Sequence, residues 1–192
     1  RSHFPTRAQY KEKRFPSVLQ SSKQYVLPEG GTNALAVIGC TEILGPTEEA
    51  FDTICSCVGT GGTLAGLIEG STTQQYILGF PALKHSDLET DIRQWTSKEN
   101  WELVRGYEFG GYAKASNELI GFMNTFYKKY GIPLDPIYTG KMLFGIFDLI
   151  KKEQWQWGTK VLIIHSGGLQ GLAGFNQRNQ QKGLPLLNYS SV

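Results

Sequence analysis

The sequence predicts an α/β fold with a largely parallel, twisted sheet covered by helices on both faces. Three observations carry this. Apolar runs of strand length alternate with stretches of helical period. Gly, Pro, Asn and Asp punctuate the joins, and strand and helix take turns along most of the chain. With 192 residues and 40% hydrophobic content there is apolar material for one globular core, and no repeat or linker divides the chain. The expected organisation is a single domain or fragment over 1–192, with a lead-in at 1–24 and a tail at 176–192.

Residues 25–28 read as a short strand. Glu29-Gly30-Gly31 ends it, and Thr32 and Asn33 are good helix N-caps before an apolar helix over 34–44. A buried strand follows at 51–58, then a glycine loop at 59–63 and a helix from Leu64. The next strand spans 75–79 and is broken by Pro81. Residues 87–97 have helical period and 102–105 are strand-like. A long amphipathic helix over 113–130 is closed by Gly131 and Pro133. After the turn Leu134-Asp135-Pro136 come Ile137-Tyr138-Thr139-Gly140 and a helix over 141–152. The last strand, 160–164, runs into His165-Ser166-Gly167-Gly168.

Charge narrows the function classes. Nineteen basic residues are interleaved with seventeen acidic ones for a net charge of +2, which gives no broad nucleic-acid footprint. Arg1, Arg7, Lys11, Lys13 and Arg14 face a single acid, Glu12; this is read as a solvated lead-in rather than a phosphate or membrane patch. No stretch approaches the roughly 20 apolar residues of a membrane span, and the start is neither a signal nor a clear transit peptide, so a soluble, cytoplasmic protein is expected. Cys55 and Cys57 lie two apart on one strand, badly placed to bond each other, and are expected to be reduced structural thiols. His3, His85 and His165 are scattered, so no metal site is expected.

The most informative segment is Gly59-Thr60-Gly61-Gly62-Thr63, which joins a buried strand to a helix start. Glycines let several N–H groups turn toward one point, threonine hydroxyls add donors, and the positive helix end favours an anion such as phosphate. Alone, such a loop is equally a ligand-free turn. A nucleotide P-loop would need Gly-Lys-Ser/Thr where Leu64-Ala65 follow, and the dinucleotide fingerprint lacks its third glycine. Lys141 follows Gly140, but Asp135 stands where a P-loop's first glycine belongs, so Lys141 reads as a solvent-exposed lysine at a helix start.

Four segments together resemble the fold-type II pyridoxal-phosphate enzymes, and within them the family of 1-aminocyclopropane-1-carboxylate deaminase and D-cysteine desulfhydrase. They are Pro28-Glu29-Gly30-Gly31-Thr32-Asn33, the run from Val58 through Gly59-Thr60-Gly61-Gly62-Thr63 to Leu67, Asp135-Pro136-Ile137-Tyr138-Thr139-Gly140-Lys141, and His165-Ser166-Gly167-Gly168. The resemblance implies the large-domain fold of the tryptophan synthase β-like enzymes and pyridoxal 5'-phosphate as cofactor. It implies that Gly59, Thr60, Gly61, Gly62 and Thr63 cup the phosphate, that Thr139 faces the pyridine nitrogen, and that Tyr138 and Tyr112 line the ring and substrate as catalytic residues. Tyr112 comes from Phe109-Gly110-Gly111-Tyr112. Core packing is the plain alternative for both tyrosines, and turn formation is the alternative for Ser166, which could approach the ring edge. A homodimer is expected of the complete protein.

The resemblance also has a gap. In this family the lysine that binds the cofactor covalently lies in an N-terminal Gly-Gly-Asn-Lys type segment, and nothing before Tyr25 matches it. The chain is therefore expected to lack the N-terminal small-domain portion and to be inactive by itself. Thr139 bears on the substrate: a carboxylate facing the ring nitrogen would favour a protonated ring and a strong electron sink, whereas a neutral hydroxyl suits an easier reaction. Release of sulfide from D-cysteine is such a reaction, with ring opening of 1-aminocyclopropane-1-carboxylate as the alternative. Outside the enzyme class, the alternatives are a catalytically silent domain that holds phosphate or pyridoxal phosphate, and an α/β domain with no ligand.

Overall fold

The structure is a computed structural model and describes residues 28–189. Strands β1 (Thr53–Val58), β2 (Tyr76–Pro81), β3 (Trp101–Leu103) and β4 (Val161–Ile163) form one sheet in the order β3-β2-β1-β4. Every pairing is parallel, with Cys55 opposite both Leu78 and Ile163, and Leu78 opposite Glu102. β1 and β2 lie in the middle, which explains runs that are apolar at consecutive positions.

Alternation along these strands feeds two cores. Ile54, Val58 and Ile77 pack with Leu64, Leu67 and Ile68 of helix α2 (Gly62–Gly70), while Cys55, Leu78 and Phe80 pack with Met142 and Ile146 of helix α5 (Thr139–Lys151). Helices therefore cover both faces, as the sequence predicts. Helix α1 (Ala34–Thr41) rides on α2 through glycines: a Cβ on Gly66 would lie 2.6 Å from the Val37 carbonyl, and one on Gly70 equally close to that of Thr41. A third core joins Leu119, Ile120, Met123 and Phe126 of helix α4 (Asn117–Tyr130) to Leu143 and to Leu172 and Phe175 of helix α6 (Leu172–Gln181).

Several boundaries move for identifiable reasons. The helix expected over 113–130 begins only after Ser116, whose hydroxyl accepts from the Leu119 N–H at 3.1 Å, because Ala113 has φ 54° and belongs to a loop. Its end at Gly131, φ 70°, agrees. Pro81 does not break β2 early; it is the last residue of that strand, opposite Val58. The helix expected over 87–97 is the shorter α3 (Leu88–Arg93), since Thr96 turns its hydroxyl to the Glu69 carboxylate. β3 is displaced toward Trp101. Residues 176–189, expected as tail, are folded: Asn176 makes both amide bonds with the Leu187 backbone, at 2.8 and 2.9 Å, and Leu187 is buried. Asparagines that look like a polar tail in sequence serve here as backbone partners. Residues 1–24 and most of the strand expected at 25–28 lie outside the described residues.

Candidate functional site

The C-terminal ends of β1 and β4 and the start of α5 surround a cavity of about 800 Å³. That volume lies in the range of small-molecule sites. Its walls bring together Gly59, Thr60, Gly61, Gly62, Thr63, Tyr112, Tyr138 and Ser166, eight of the nine site residues expected from sequence.

The glycine corner has a definite cause. Gly61 takes φ 93°, and a Cβ there would lie 2.7 Å from the Ile92 side chain, so both conformation and space require glycine. Gly61 also occupies the N-cap of α2 without any side-chain cap. The first-turn N–H groups of a nine-residue helix are thus left at the cavity wall for a ligand or water. Thr60 and Thr63, both exposed, add hydroxyls beside them. Thr32 closes the corner from the α1 side, its hydroxyl 2.7 Å from that of Thr60. Asn33 holds this segment in place by capping α1 at Ala36 N–H, 3.0 Å, and donating to the Gly31 carbonyl, 3.1 Å. A phosphate group fits this donor set.

Opposite the corner stands Tyr138, half-buried, with its phenol oxygen 3.5 Å from where a Gly59 Cβ would lie. The exposed Tyr112 meets it edge to face at a centroid distance of 6.3 Å. Burial raises the Tyr138 pKa above the usual phenol value, with smaller contributions from Tyr112, Cys57 and Asp135 in the same direction. Tyr138 therefore keeps its proton and can serve as a hydrogen-bond donor. Ser166 and Cys57 both line the wall, and burial pushes the Cys57 thiol pKa up to about 11. Cys57 is therefore a protonated wall group rather than a nucleophile. Cys55, buried in β1, is pushed up to about 12 by burial alone. All three cysteines are free.

Thr139 does not line the cavity. It is buried, its hydroxyl donates to Asp135 Oδ2 at 2.7 Å, and Thr139 Oγ1 in turn accepts from the Asp135 N–H at 2.9 Å. Asp135, missed as a site residue, organises this whole turn: its carboxylate also accepts from the N–H groups of Ile137 at 2.9 Å and of Tyr138 and Thr139 at 2.8 Å. The available signal was an Asp four residues before a helix start, where a carboxylate caps the first turn. Gly168 lies against this carboxylate, and His165 Nε2 is 2.9 Å from the Pro133 carbonyl, so the loop after β4 is locked to the same turn.

Lys141 overturns its sequence reading. It is 1% exposed, not solvated, and its ammonium donates to the carbonyls of Ala82 at 2.9 Å, Glu108 at 2.9 Å and Gly111 at 2.8 Å. Burial lowers its pKa to about 8, opposed by the charges of Asp135 and Glu108. No lysine stands among the described residues of the cavity wall.

No family model matches the chain. It is 33% identical over 169 residues to a putative 1-aminocyclopropane-1-carboxylate deaminase of Pyrococcus horikoshii, with 79% of this chain and 51% of that protein covered. It is 30% identical to the mitochondrial bifunctional D-cysteine desulfhydrase/1-aminocyclopropane-1-carboxylate deaminase of Arabidopsis thaliana, with 80% and 43% covered. A crystal structure of an ACC deaminase homologue superposes with a TM-score of 0.73 at 28% identity, over 91% of this chain and 58% of that one. The chain thus spans about half the length of the curated relatives it matches. With a relative 33% identical over 79% of this chain and a matching fold, the chain belongs to the family of 1-aminocyclopropane-1-carboxylate deaminase and D-cysteine desulfhydrase.

Proposed function

We propose that the complete protein is a pyridoxal-phosphate-dependent lyase that acts on a small amino acid, converting D-cysteine and water to pyruvate, ammonia and hydrogen sulfide. The observation that carries this is the uncapped, glycine-built start of α2 facing a tyrosine pair across one cavity. When bound, the cofactor supplies an electron sink for the pair left at the substrate α-carbon as a bond there breaks. The residues of this chain bind and orient. The backbone N–H groups at Gly61, Gly62 and Thr63 and the hydroxyls of Thr60 and Thr63 hold the phosphate. Tyr138, with its raised pKa, presents a protonated Oη to the substrate carboxylate or to the departing sulfur. Tyr112 stands exposed at the mouth, where it can contact substrate on entry.

The choice of sulfide release over ring opening rests on the residue type alone: the resemblance places a neutral hydroxyl, Thr139, at the position facing the ring nitrogen, while in this structure that hydroxyl is turned to Asp135 and away from the cavity wall. The covalent lysine is assigned to a part of the complete protein other than Lys141, whose three donors are already engaged. Borohydride reduction of the loaded protein followed by peptide mapping checks that assignment, and a label on Lys141 overturns it. Turnover assays decide the substrate. Sulfide and pyruvate from D-cysteine support the proposal; 2-oxobutanoate from 1-aminocyclopropane-1-carboxylate without sulfide release replaces it with the deaminase reading. Cofactor binding with neither product leaves a silent binding protein.

A further inference from the structure

Lys141 is a costly residue to place where it is. An ammonium removed from water loses its hydration, and a cation in the first turn of α5 opposes that helix's dipole. An apolar chain of similar length, such as Met, would fill the volume without either cost. Nothing in the packing of the core therefore calls for a lysine; what the ammonium provides is three donors.

Those donors join segments that share no regular structure. Ala82 follows the end of β2, and Glu108 and Gly111 belong to the loop that carries Tyr112. That loop needs fixing. Phe109 and Ala113 take positive φ, 50° and 54°, and Gly110 and Gly111 take 87° and 115°. Its own backbone supplies only the Gly111 N–H to Glu108 carbonyl and Lys114 N–H to Gly111 carbonyl turns. Non-glycine residues at positive φ persist only where the surroundings over-determine them. Lys141 grips the loop at both Glu108 and Gly111, directly before Tyr112, and stands three residues beyond Tyr138 on the same chain turn.

We propose that Lys141 is a positioning residue: by holding the carbonyls of Ala82, Glu108 and Gly111 it fixes the loop that carries Tyr112 relative to the helix start that carries Tyr138. The tyrosine pair at the cavity mouth then owes its edge-to-face geometry to a buried ammonium that touches neither ring nor ligand. The kinetic consequence rests on the function proposed above; the structural one does not.

The test is Lys141→Met in the complete, cofactor-loaded protein, read by hydrogen exchange and by a double-mutant cycle. Exchange at amides 106–113 is expected to accelerate about tenfold or more, the factor for losing one bond to a charged donor, with β1 and α2 unchanged. Turnover is expected to fall about tenfold in the wild-type background and to change less than about twofold in a Tyr112→Phe background, because the misplaced hydroxyl is then already gone. Unchanged exchange at 106–113, or an equal loss of turnover in both backgrounds, overturns the proposal. If the Met variant does not fold, Lys141→Gln, whose amide keeps two donors, is expected to accelerate the same amides by a smaller factor; acceleration spread evenly over the molecule overturns it. Were no amino acid turned over at all, the proposed reaction would fall, while the exchange data alone would still decide whether Lys141 holds the loop.

Discussion

Replacing Asp135 tests whether one buried carboxylate builds the turn on which Tyr138 and Thr139 stand. Four donors converge on it, three backbone N–H groups at 2.8 to 2.9 Å and the Thr139 hydroxyl at 2.7 Å, and it is 1% exposed. In Asp135→Asn the amide oxygen keeps the Ile137 and Tyr138 bonds, while the amide nitrogen faces the Thr139 N–H, donor to donor. That orphaned N–H costs roughly 1–3 kcal/mol. Loss of charge assistance on the two kept bonds removes about another 1 kcal/mol, and the Thr139 hydroxyl can turn to accept from the new amide. The expected destabilisation is about 3 kcal/mol. Asp135→Ala leaves all the donors without their acceptor and is expected to cost about 5 kcal/mol or more, among the largest single-residue effects. Equilibrium urea unfolding followed by fluorescence of the four tryptophans measures both, with constant slope as the check that the same transition is compared. Losses under about 1 kcal/mol in both variants, or an Asn variant worse than Ala, would refute the reasoning.

Gly61→Ala is expected to lower stability by about 2 kcal/mol, from positive φ and contact with Ile92, and to weaken cofactor affinity at least about tenfold, as calorimetry can check. Tyr138→Phe should leave cofactor affinity within about threefold and cut turnover about a hundredfold, in the range lost with a positioned proton donor; unchanged turnover removes that role. Lys141 gives a pH prediction with a definite sign. Its folded pKa of about 8 lies below the unfolded value of 10.5, so between those pH values the unfolded chain binds the extra proton and stability rises with pH. Relative to Lys141→Met, the wild type should therefore gain on the order of 2 kcal/mol between pH 7.5 and 9.5. Taking the difference removes the raised thiol and phenol groups common to both proteins, and a flat or falling difference contradicts the burial effect.

The fold was legible because parallel strands buried on both faces announce themselves. β1 and β2 are short apolar runs between turn residues, and a glycine loop leads β1 into a helix. The glycine corner was legible because Gly61 and Gly62 are needed wherever backbone must approach closely. Tyr112 and Tyr138 came to the site through resemblance; no periodicity brings residues 26 apart in sequence to one cavity mouth. What local reading could not reach was long-range polar structure. Lys141 looks like an exposed helix-start lysine because its three acceptors lie 30, 33 and 59 residues away. Thr139 looks available for a ligand until its hydroxyl is found engaged by Asp135. Ala113 favours helix by propensity, and the loop that Lys141 holds overrides it.

The measurement that bears most directly on the whole account is a crystal structure of the complete protein with pyridoxal phosphate. The phosphate oxygens are expected about 2.7–3.1 Å from the N–H groups and hydroxyls at residues 60–63. A phosphate bound elsewhere, with water alone at the start of α2, would contradict it.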